Sequence, residues 1–446
     1  MYTLNILAAN KTELIIPELF LSSHTKKSDL FRLAGYGLII CVALMPLADF
    51  LTIYARSIES STFERVSLAY RTAIVIFACI VCISTAKRKK SYILKSFVLF
   101  QITIWLYPLF TQQIDISSTI ESSMLLLKFY VIFLFFYGFT ALLNSRLISN
   151  EQLTRITTFL IYVYSLAIVF GAVFGVALMR YYDTDRWGVK GIIISGNEAS
   201  GVLLVSLAWS MLQFSRSQSR TLLPLVIAAL LLSGTKSSII GMLILFVGYY
   251  IAKGGISSII KMCFSALLLI LASGYFYLYF DAVQEAVAKS ADYFEYQYYN
   301  FANKSLITLA LSGRDLKLYT VYNEIINDYP VALFIGGFPV GSYSTEMDFF
   351  DLLALSGIFG VLIYTYYWLR IWKKQFIYNK FESRFRLAFV ITFIALGFLG
   401  GHMFYSAVTA PLLASLAISF RENQIRNKRK TQRPLYIRRE NLSPSI

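Results

Sequence analysis

The chain is poor in charge and in cysteine. Of its 446 residues only 15% are Asp, Glu, Lys or Arg, against 57% hydrophobic, and the mean hydropathy is +0.61. So little polar material cannot cover a soluble protein of that composition, so the bilayer is the solvent it requires. The four cysteines, Cys41, Cys79, Cys82 and Cys263, all fall inside apolar segments, and no disulfide framework is expected. Cys79 and Cys82 form a C-x-x-C without a second ligand pair, so small helix-facing residues describe them better than a metal or redox site. Internal repeats, low-complexity blocks, nucleotide-binding motifs and a second soluble domain are all missing. Residues 1–32 lack a short apolar stretch with a small-residue cleavage site, so the first span is expected to be its own targeting signal. The net charge of +16 raises the question of nucleic acid, but the basic residues sit in connectors beside apolar spans and no recognition fold accompanies them. Nucleic acid is therefore not an expected partner.

What the sequence has is apolar blocks of spanning length. Windows of about twenty residues place spans near 33–54, 67–85, 92–110, 122–143, 156–178, 191–212, 220–234, 237–252, 259–280, 348–369, 386–405 and 407–420. The expected fold is thus all-α, a polytopic transmembrane helical bundle of about 12 spans, with the transmembrane domain over 33–420. Lys and Arg are retained on the cytoplasmic side of a membrane protein. One set of connectors holds Lys26, Lys27 and Arg32, then Lys87 to Lys90, Arg146, Arg155, Arg216, Arg220, Lys373 and Lys374, and the tail from Arg421 to Arg439. The alternate set is sparser, with Arg56, Arg65, Arg180, Arg186, Lys190 and Lys236 among its members. Both termini are accordingly expected in the cytoplasm: 1–32 as an N-terminal segment, 421–446 as a basic tail lying against anionic lipid. Merging the seventh and eighth spans, which are separated only by Ser233, Gly234, Thr235 and Lys236, would reverse this parity.

One outward loop, 281–347, is too long to be a plain connector. It opens with Tyr293, Phe294, Tyr296, Tyr298, Tyr299 and Phe301. Such rings stack on sugars or form an interfacial aromatic belt, and the sequence supports both readings. Ser312, Gly313, Arg314 and Asp315 then read as a helix start with Ser312 as N-cap. Leu318, Tyr322, Ile325 and Ile326 give that helix one apolar stripe, and Pro330 closes it, so it is amphipathic and suited to the membrane surface. Arg314 in its first turn suits a phosphate, or simply pairs with Asp315 in solvent. Gly336, Gly337 and Gly341 follow as a turn, and Glu346, Asp348 and Asp351 lead into the next span. Carboxylates there are favoured by the helix dipole, although one at depth is a functional candidate. On the same face lie Arg180, Arg186 and Lys190, the polar opening Asn197 and Glu198 of the sixth span, and Lys236 in its tight turn. Cations and carboxylates converging on one face of a bundle call for an anionic, membrane-borne substrate. A diphosphate would take the cations, a sugar the aromatic loop, and a carboxylate could accept a proton from an attacking hydroxyl.

The chain resembles the O-antigen polymerases (Wzy-like) of the O-antigen ligase/polymerase superfamily. The residues that carry the likeness are the turn Ser233 to Ser238, Gly313 and Arg314 opening an amphipathic helix, Pro330 followed by Gly336 and Gly337, and Glu346 and Asp348 with Gly357 and Gly360 in the next span. Gly196, Asn197 and Glu198 also fit, as does Arg180 followed ten residues later by Gly191. The resemblance implies a glycosyltransferase of the bacterial inner membrane. It would polymerise undecaprenyl-diphosphate-linked oligosaccharide repeat units into a surface polysaccharide, an O-antigen or similar, at the periplasmic face. It implies diphosphate binding by Arg180, Arg186, Lys236 and Arg314, and Glu346 or Asp348 as general base or acceptor clamp. Asn197 and Glu198 would support the residues that touch substrate. No metal or cofactor is implied, since the leaving diphosphate is already a good anion. Further partners would be membrane lipid, a chain-length regulator and a flippase. The superfamily's ligases carry a histidine in the large outer loop, whereas this chain has only His24 and His402, which favours polymerase over ligase. Lys236 stands where an arginine is more usual, keeping charge but losing bidentate geometry. A lipid-linked oligosaccharide flippase or other transporter is the alternative outside glycosyl transfer, and its charges should line a central cavity at mid-depth.

Overall fold

The computed structural model describes residues 29–59, 65–85, 88–111, 115–180, 188–215, 220–279, 281–301, 305–340, 344–373 and 380–420. Arg186 and the segments 1–28 and 421–446 lie outside them.

The described chain is helical. The elements are α1 (Asp29–Ser57), α2 (Val66–Ser84), α3 (Arg88–Thr111), α4 (Ile116–Asn144), α5 (Asn150–Val173), α6 (Gly196–Ser215), α7 (Leu222–Leu232), α8 (Lys236–Lys253), α9 (Ile256–Tyr279), α10 (Asp281–Phe301), α11 (Leu306–Leu311), α12 (Arg314–Asp328), α13 (Ala332–Ile335), α14 (Asp348–Lys373) and α15 (Lys380–Gly400). A last helix, α16, covers Thr409–Phe420. Among the described residues no strand forms, and one isolated antiparallel bridge pairs Arg180 with Val189.

Among the described residues seven helices are long and apolar enough to cross a membrane: α1, α2, α4, α5, α8, α14 and α15. The protein is an all-α, multi-pass membrane protein. Shorter apolar helices lie at Tyr92–Tyr107, Leu222–Leu232, Ile256–Leu268 and Thr409–Phe420. The seventh and eighth expected spans are two helices, as the sequence reading separates them, but α7 has only 11 residues. At 1.5 Å per residue that is about 16 Å, roughly half a hydrocarbon core.

α6 lies at the centre. Every residue from Ala199 to Gln213 is buried, which is how a helix apolar on all sides must sit. It packs on α7, α8 and α15, and its Ser200 hydroxyl meets the Thr235 hydroxyl at 2.6 Å and that of Ser238 at 3.1 Å. This knot ties the α7–α8 turn to the start of α6, and Thr235 also caps α8 by accepting from the Ser238 N–H. Aromatic contacts join α4, α14 and the turn after α15: Phe129 with Tyr364, Phe133 with Tyr364 and Phe404 with Trp368 edge-to-face, and Phe129 with Tyr405 tilted.

The long segment after α9 departs from the expected loop in three ways. Its aromatic start is a continuous helix, α10, with Tyr296, Tyr298 and Tyr299 exposed on it. The amphipathic helix forms at Arg314–Asp328 as expected, but Gly313 is its N-cap, while Ser312 closes α11 in a left-handed conformation. Its buried stripe is Val321 and Ile325, with Tyr322 and Ile326 exposed. The third departure is the glycine turn, which is not outside the bundle. Residues 334–338 press against a break in α14, where Gly357 has φ 63°. The N–H groups of Gly337 and Phe338 donate to the carbonyls of Leu355 and Ala354 at 3.0 and 3.2 Å. A broken helix inside a bundle is tolerated where its freed carbonyls find such partners.

Candidate functional site

The end of α1, the starts of α2 and α6, a face of α4 and the turn after α15 meet at one end of the bundle and line a cleft of about 450 Å³. α1 supplies Thr52 and Arg56 from its last turns, and Arg65 stands just before α2. α2 contributes Leu68, Arg71, Thr72 and Val75, one face at helical spacing. α4 faces it with Met124, Leu127, Lys128 and Val131, again one face, and the start of α6 adds Ser195 and Glu198. The turn after α15 closes the rim with His402 and Tyr405. Arginines and a lysine thus gather above an apolar wall, with a single carboxylate, Glu198, among the lining residues.

Arg71 is held by a buried acceptor. Its guanidinium donates to the Asp49 carboxylate at 2.8 Å, and Asp49 is fully buried in α1. The same carboxylate accepts from the Ser67 hydroxyl at 2.5 Å and from the Tyr164 hydroxyl at 2.8 Å. A buried carboxylate with its lone pairs filled fixes the cation beside it. Glu198 lines the same cleft as Arg71. Lys128 is exposed on α4 and lines the cleft. Close by, Lys190 is buried and donates to the Ile194 carbonyl at 3.2 Å; burial first, then the neighbouring Arg56, pulls its pKa down to about 8.

Beside the cleft lies a second charged group, built by the long segment. The Glu346 carboxylate pairs with the Lys317 ammonium at 2.5 Å and with the Arg314 guanidinium at 3.5 Å. Burial pushes the Glu346 carboxyl up, but Lys317 and then Arg314 outweigh it and hold the group below the usual carboxylate range. Arg314 also donates to the Leu399 carbonyl at 3.1 Å, and Lys236 donates to the Ser312 hydroxyl at 3.4 Å. The α11–α12 corner is thereby seated on the end of α15 and on the α7–α8 turn. His402 connects the two groups: its imidazole feels Glu198 and Lys128 of the cleft as well as Glu346 and Arg314. Its own burial lowers its pKa below the ordinary histidine value in spite of the two carboxylates.

Of the residues singled out in the sequence, Glu198 lines the cleft, and Arg314 and Glu346 pair beside it. Lys236 joins them through Ser312. Asn197 adjoins Glu198 at the opening of α6 without lining the cleft. Arg180 is exposed, pairs its backbone with Val189, and feels Glu285 of α10, away from the lining residues. Asp348 does not open onto the cleft. It is 1% exposed, and its Oδ2 accepts from the backbone N–H groups of Met403 and Phe404 at 2.9 and 2.7 Å. Asp351 likewise braces the preceding turn, accepting from the N–H and hydroxyl of Thr345 and the hydroxyl of Ser344. The exposed tyrosines of α10 are not among the cleft's lining residues.

Asp49, Arg71 and Lys128 are the residues the sequence reading passes over. Their signal is plain in retrospect: each is an ionisable side chain inside an apolar span, which marks a functional candidate by default. By sequence Arg56 and Arg65 are orientation charges; the fold places both at the cleft. Among the described residues no group of three or more His, Cys, Asp or Glu side chains is placed to hold a metal ion. No protein-family model, curated protein or solved structure matches the chain.

Proposed function

We propose that this protein is a glycosyltransferase of the bacterial inner membrane that polymerises undecaprenyl-diphosphate-linked repeat units into a surface polysaccharide. The observation that carries the proposal is the cleft itself. Arg56, Arg65, Arg71 and Lys128 surround a space whose wall between α2 and α4 is apolar. A soluble anion needs the cations and gains nothing from that wall, whereas a phosphate-bearing lipid uses both. Glu198 and the His402 imidazole at the cleft, with Glu346 beside it, supply acceptors for the proton of an attacking sugar hydroxyl. The cations stabilise the diphosphate that departs, so the chemistry has electrostatic assistance where charge develops.

On this reading the cleft end faces the periplasm, both termini are cytoplasmic, and the bundle spans the membrane about twelve times. The long segment from 281 to 347 then covers the site and closes its edge through the Arg314–Glu346 pair. The diphosphate contacts are assigned to the cleft cations, with Arg314 and Lys236 as neighbours on the covering segment. A ligase, which passes finished chains to a different acceptor, is the second reading. His402 is the observation that bears on it, a histidine at the cleft, but one from the turn after α15 rather than from the long loop where the ligases carry theirs. A flippase gains less support, since its charges belong at mid-depth along a central path.

Deleting the gene and analysing the surface glycan tests the proposal. A polymerase deletion leaves single repeat units on the lipid carrier or on the surface glycolipid. A ligase deletion leaves long chains stranded on the carrier, a flippase deletion leaves no exported units, and an unaltered glycan removes all three.

A further inference from the structure

We infer that His402, held in a strained turn by Asp348, is the proton acceptor for the sugar hydroxyl that attacks the donor. This inference rests on the glycosyl-transfer reading above. His402 lines the cleft together with Arg71, Lys128 and Glu198. Its backbone is in the left-handed region at φ 62°, a strained conformation for a side-chain-bearing residue that persists only where its surroundings impose it.

The surroundings do impose it. Asp348 is buried with its Oδ2 on the N–H groups of Met403 and Phe404, directly after the strained residue. On the other side Gly401, at φ 55°, packs so closely on the Glu346 backbone that a Cβ would come within 2.1 Å of the Glu346 carbonyl oxygen. The Tyr405 ring stands edge-on to the imidazole at 4.9 Å. A glycine at position 402 would remove the strain; the turn instead holds an imidazole, and holds it at the cleft. Asp348 is thus a positioning residue for His402.

The charged groups facing the imidazole are Glu198 of α6, Lys128 of α4, Arg314 of α12 and Glu346 of the return to α14. Glu346 is occupied by Lys317 and Arg314, and Glu198 lines the same cleft as Arg71. The imidazole has its pKa lowered by burial, so it is neutral at pH 7 with a lone pair to offer. In the step, the acceptor hydroxyl oxygen forms a bond to the anomeric carbon. The bond from that carbon to the diphosphate oxygen breaks, and its electron pair leaves on the diphosphate. The hydroxyl proton passes to a ring nitrogen of His402, and the imidazolium, stabilised by Glu198 and Glu346, returns it to water.

Two variants test this in vesicles: His402→Gly, which relaxes the turn, and His402→Asn, which tolerates left-handed backbone. The substrate is the lipid-linked oligosaccharide fraction from a strain deleted for this gene, and chain elongation is followed. Farnesyl diphosphate serves as a separate binding probe. Both variants should lose on the order of 10²–10⁴ in kcat while binding the probe within about twofold of wild type. Added imidazole should restore His402→Gly at least about tenfold. The wild-type rate should fall as pH drops through a value below the ordinary histidine pKa of about 6.5, and that limb should vanish in His402→Gly and return with imidazole. A kcat within about threefold of wild type in either variant, a loss that imidazole does not restore, or an equal loss of probe binding overturns the inference. Wild-type protein that binds the probe but makes no longer glycan overturns the glycosyl-transfer reading, and this inference with it.

Discussion

Asp49 and Arg71 form an ion pair at 2.8 Å between α1 and α2, with the carboxylate fully buried and the guanidinium 15% exposed toward the cleft. Removing one partner of such a pair leaves the other uncompensated and costs about 3–5 kcal/mol. Asp49→Leu and Arg71→Met should each lower the thermal midpoint in detergent. The double variant should recover only part of the lost stability, since it removes the uncompensated charge but leaves the buried Ser67 and Tyr164 hydroxyls without their acceptor. It should not recover binding of farnesyl diphosphate. Recovery of both would make the pair purely structural.

The cleft's charge acts through space as well as through contact. Lys128 is exposed on α4, so its replacement should leave folding intact. Lys128→Ala should weaken farnesyl diphosphate binding by about 5- to 10-fold at low salt, roughly 1 kcal/mol, and the deficit should shrink as ionic strength rises. Titrations at two salt concentrations check this; a deficit that is independent of salt would point to packing instead.

These two predictions concern residues that the sequence reading missed, although much of the architecture was legible. Apolar blocks located the helices closely: the expected 67–85 and 237–252 became Val66–Ser84 and Lys236–Lys253. Hydropathy reports each helix separately, so it succeeds where lipid alone decides. It does not report which helix ends converge, and the cleft is assembled from α1, α2, α4, α6 and the 401–408 turn. Asp348 shows the limit from the other side. Its position at a helix start reads equally as catalyst or dipole partner, and only the fold reveals that its lone pairs serve Met403 and Phe404. Ser312 was the better N-cap by residue type, yet the tight α11–α12 corner requires left-handed backbone at both Ser312 and Gly313, leaving the serine to close α11.

Lys190 makes stability depend on pH in a definite direction. Its pKa is about 8 in the fold against about 10.4 in an unfolded chain. Between those values the unfolded state binds more protons, so stability rises with pH, and the full penalty for burying the ammonium is present below pH 8. Lys190→Met should therefore stabilise the protein by roughly 1–3 kcal/mol at pH 7, with the advantage gone near pH 10.5. Unfolding midpoints of both proteins across that range measure it.

The glycine contact between the long segment and α14 leaves no room for a side chain. A Cβ at Gly336 would meet the Leu355 carbonyl oxygen at 2.3 Å, and one at Gly357 would meet the Phe334 carbonyl oxygen at 2.2 Å, with φ positive at both. Gly357→Ala or Gly336→Ala should cost more than about 3 kcal/mol, because strain and a backbone clash combine. Limited proteolysis should then cut the segment 331–340 in the variants under conditions where the wild type resists.

The most direct measurement of the central claim uses the purified protein in vesicles with lipid-linked oligosaccharide from a strain deleted for its gene. Mass spectrometry follows the products. The account predicts glycans of two and more repeat units on one polyprenyl carrier, with one polyprenyl diphosphate released for each unit joined. Repeat units that stay single and carriers that keep their glycan, in a preparation that still binds farnesyl diphosphate, would contradict it.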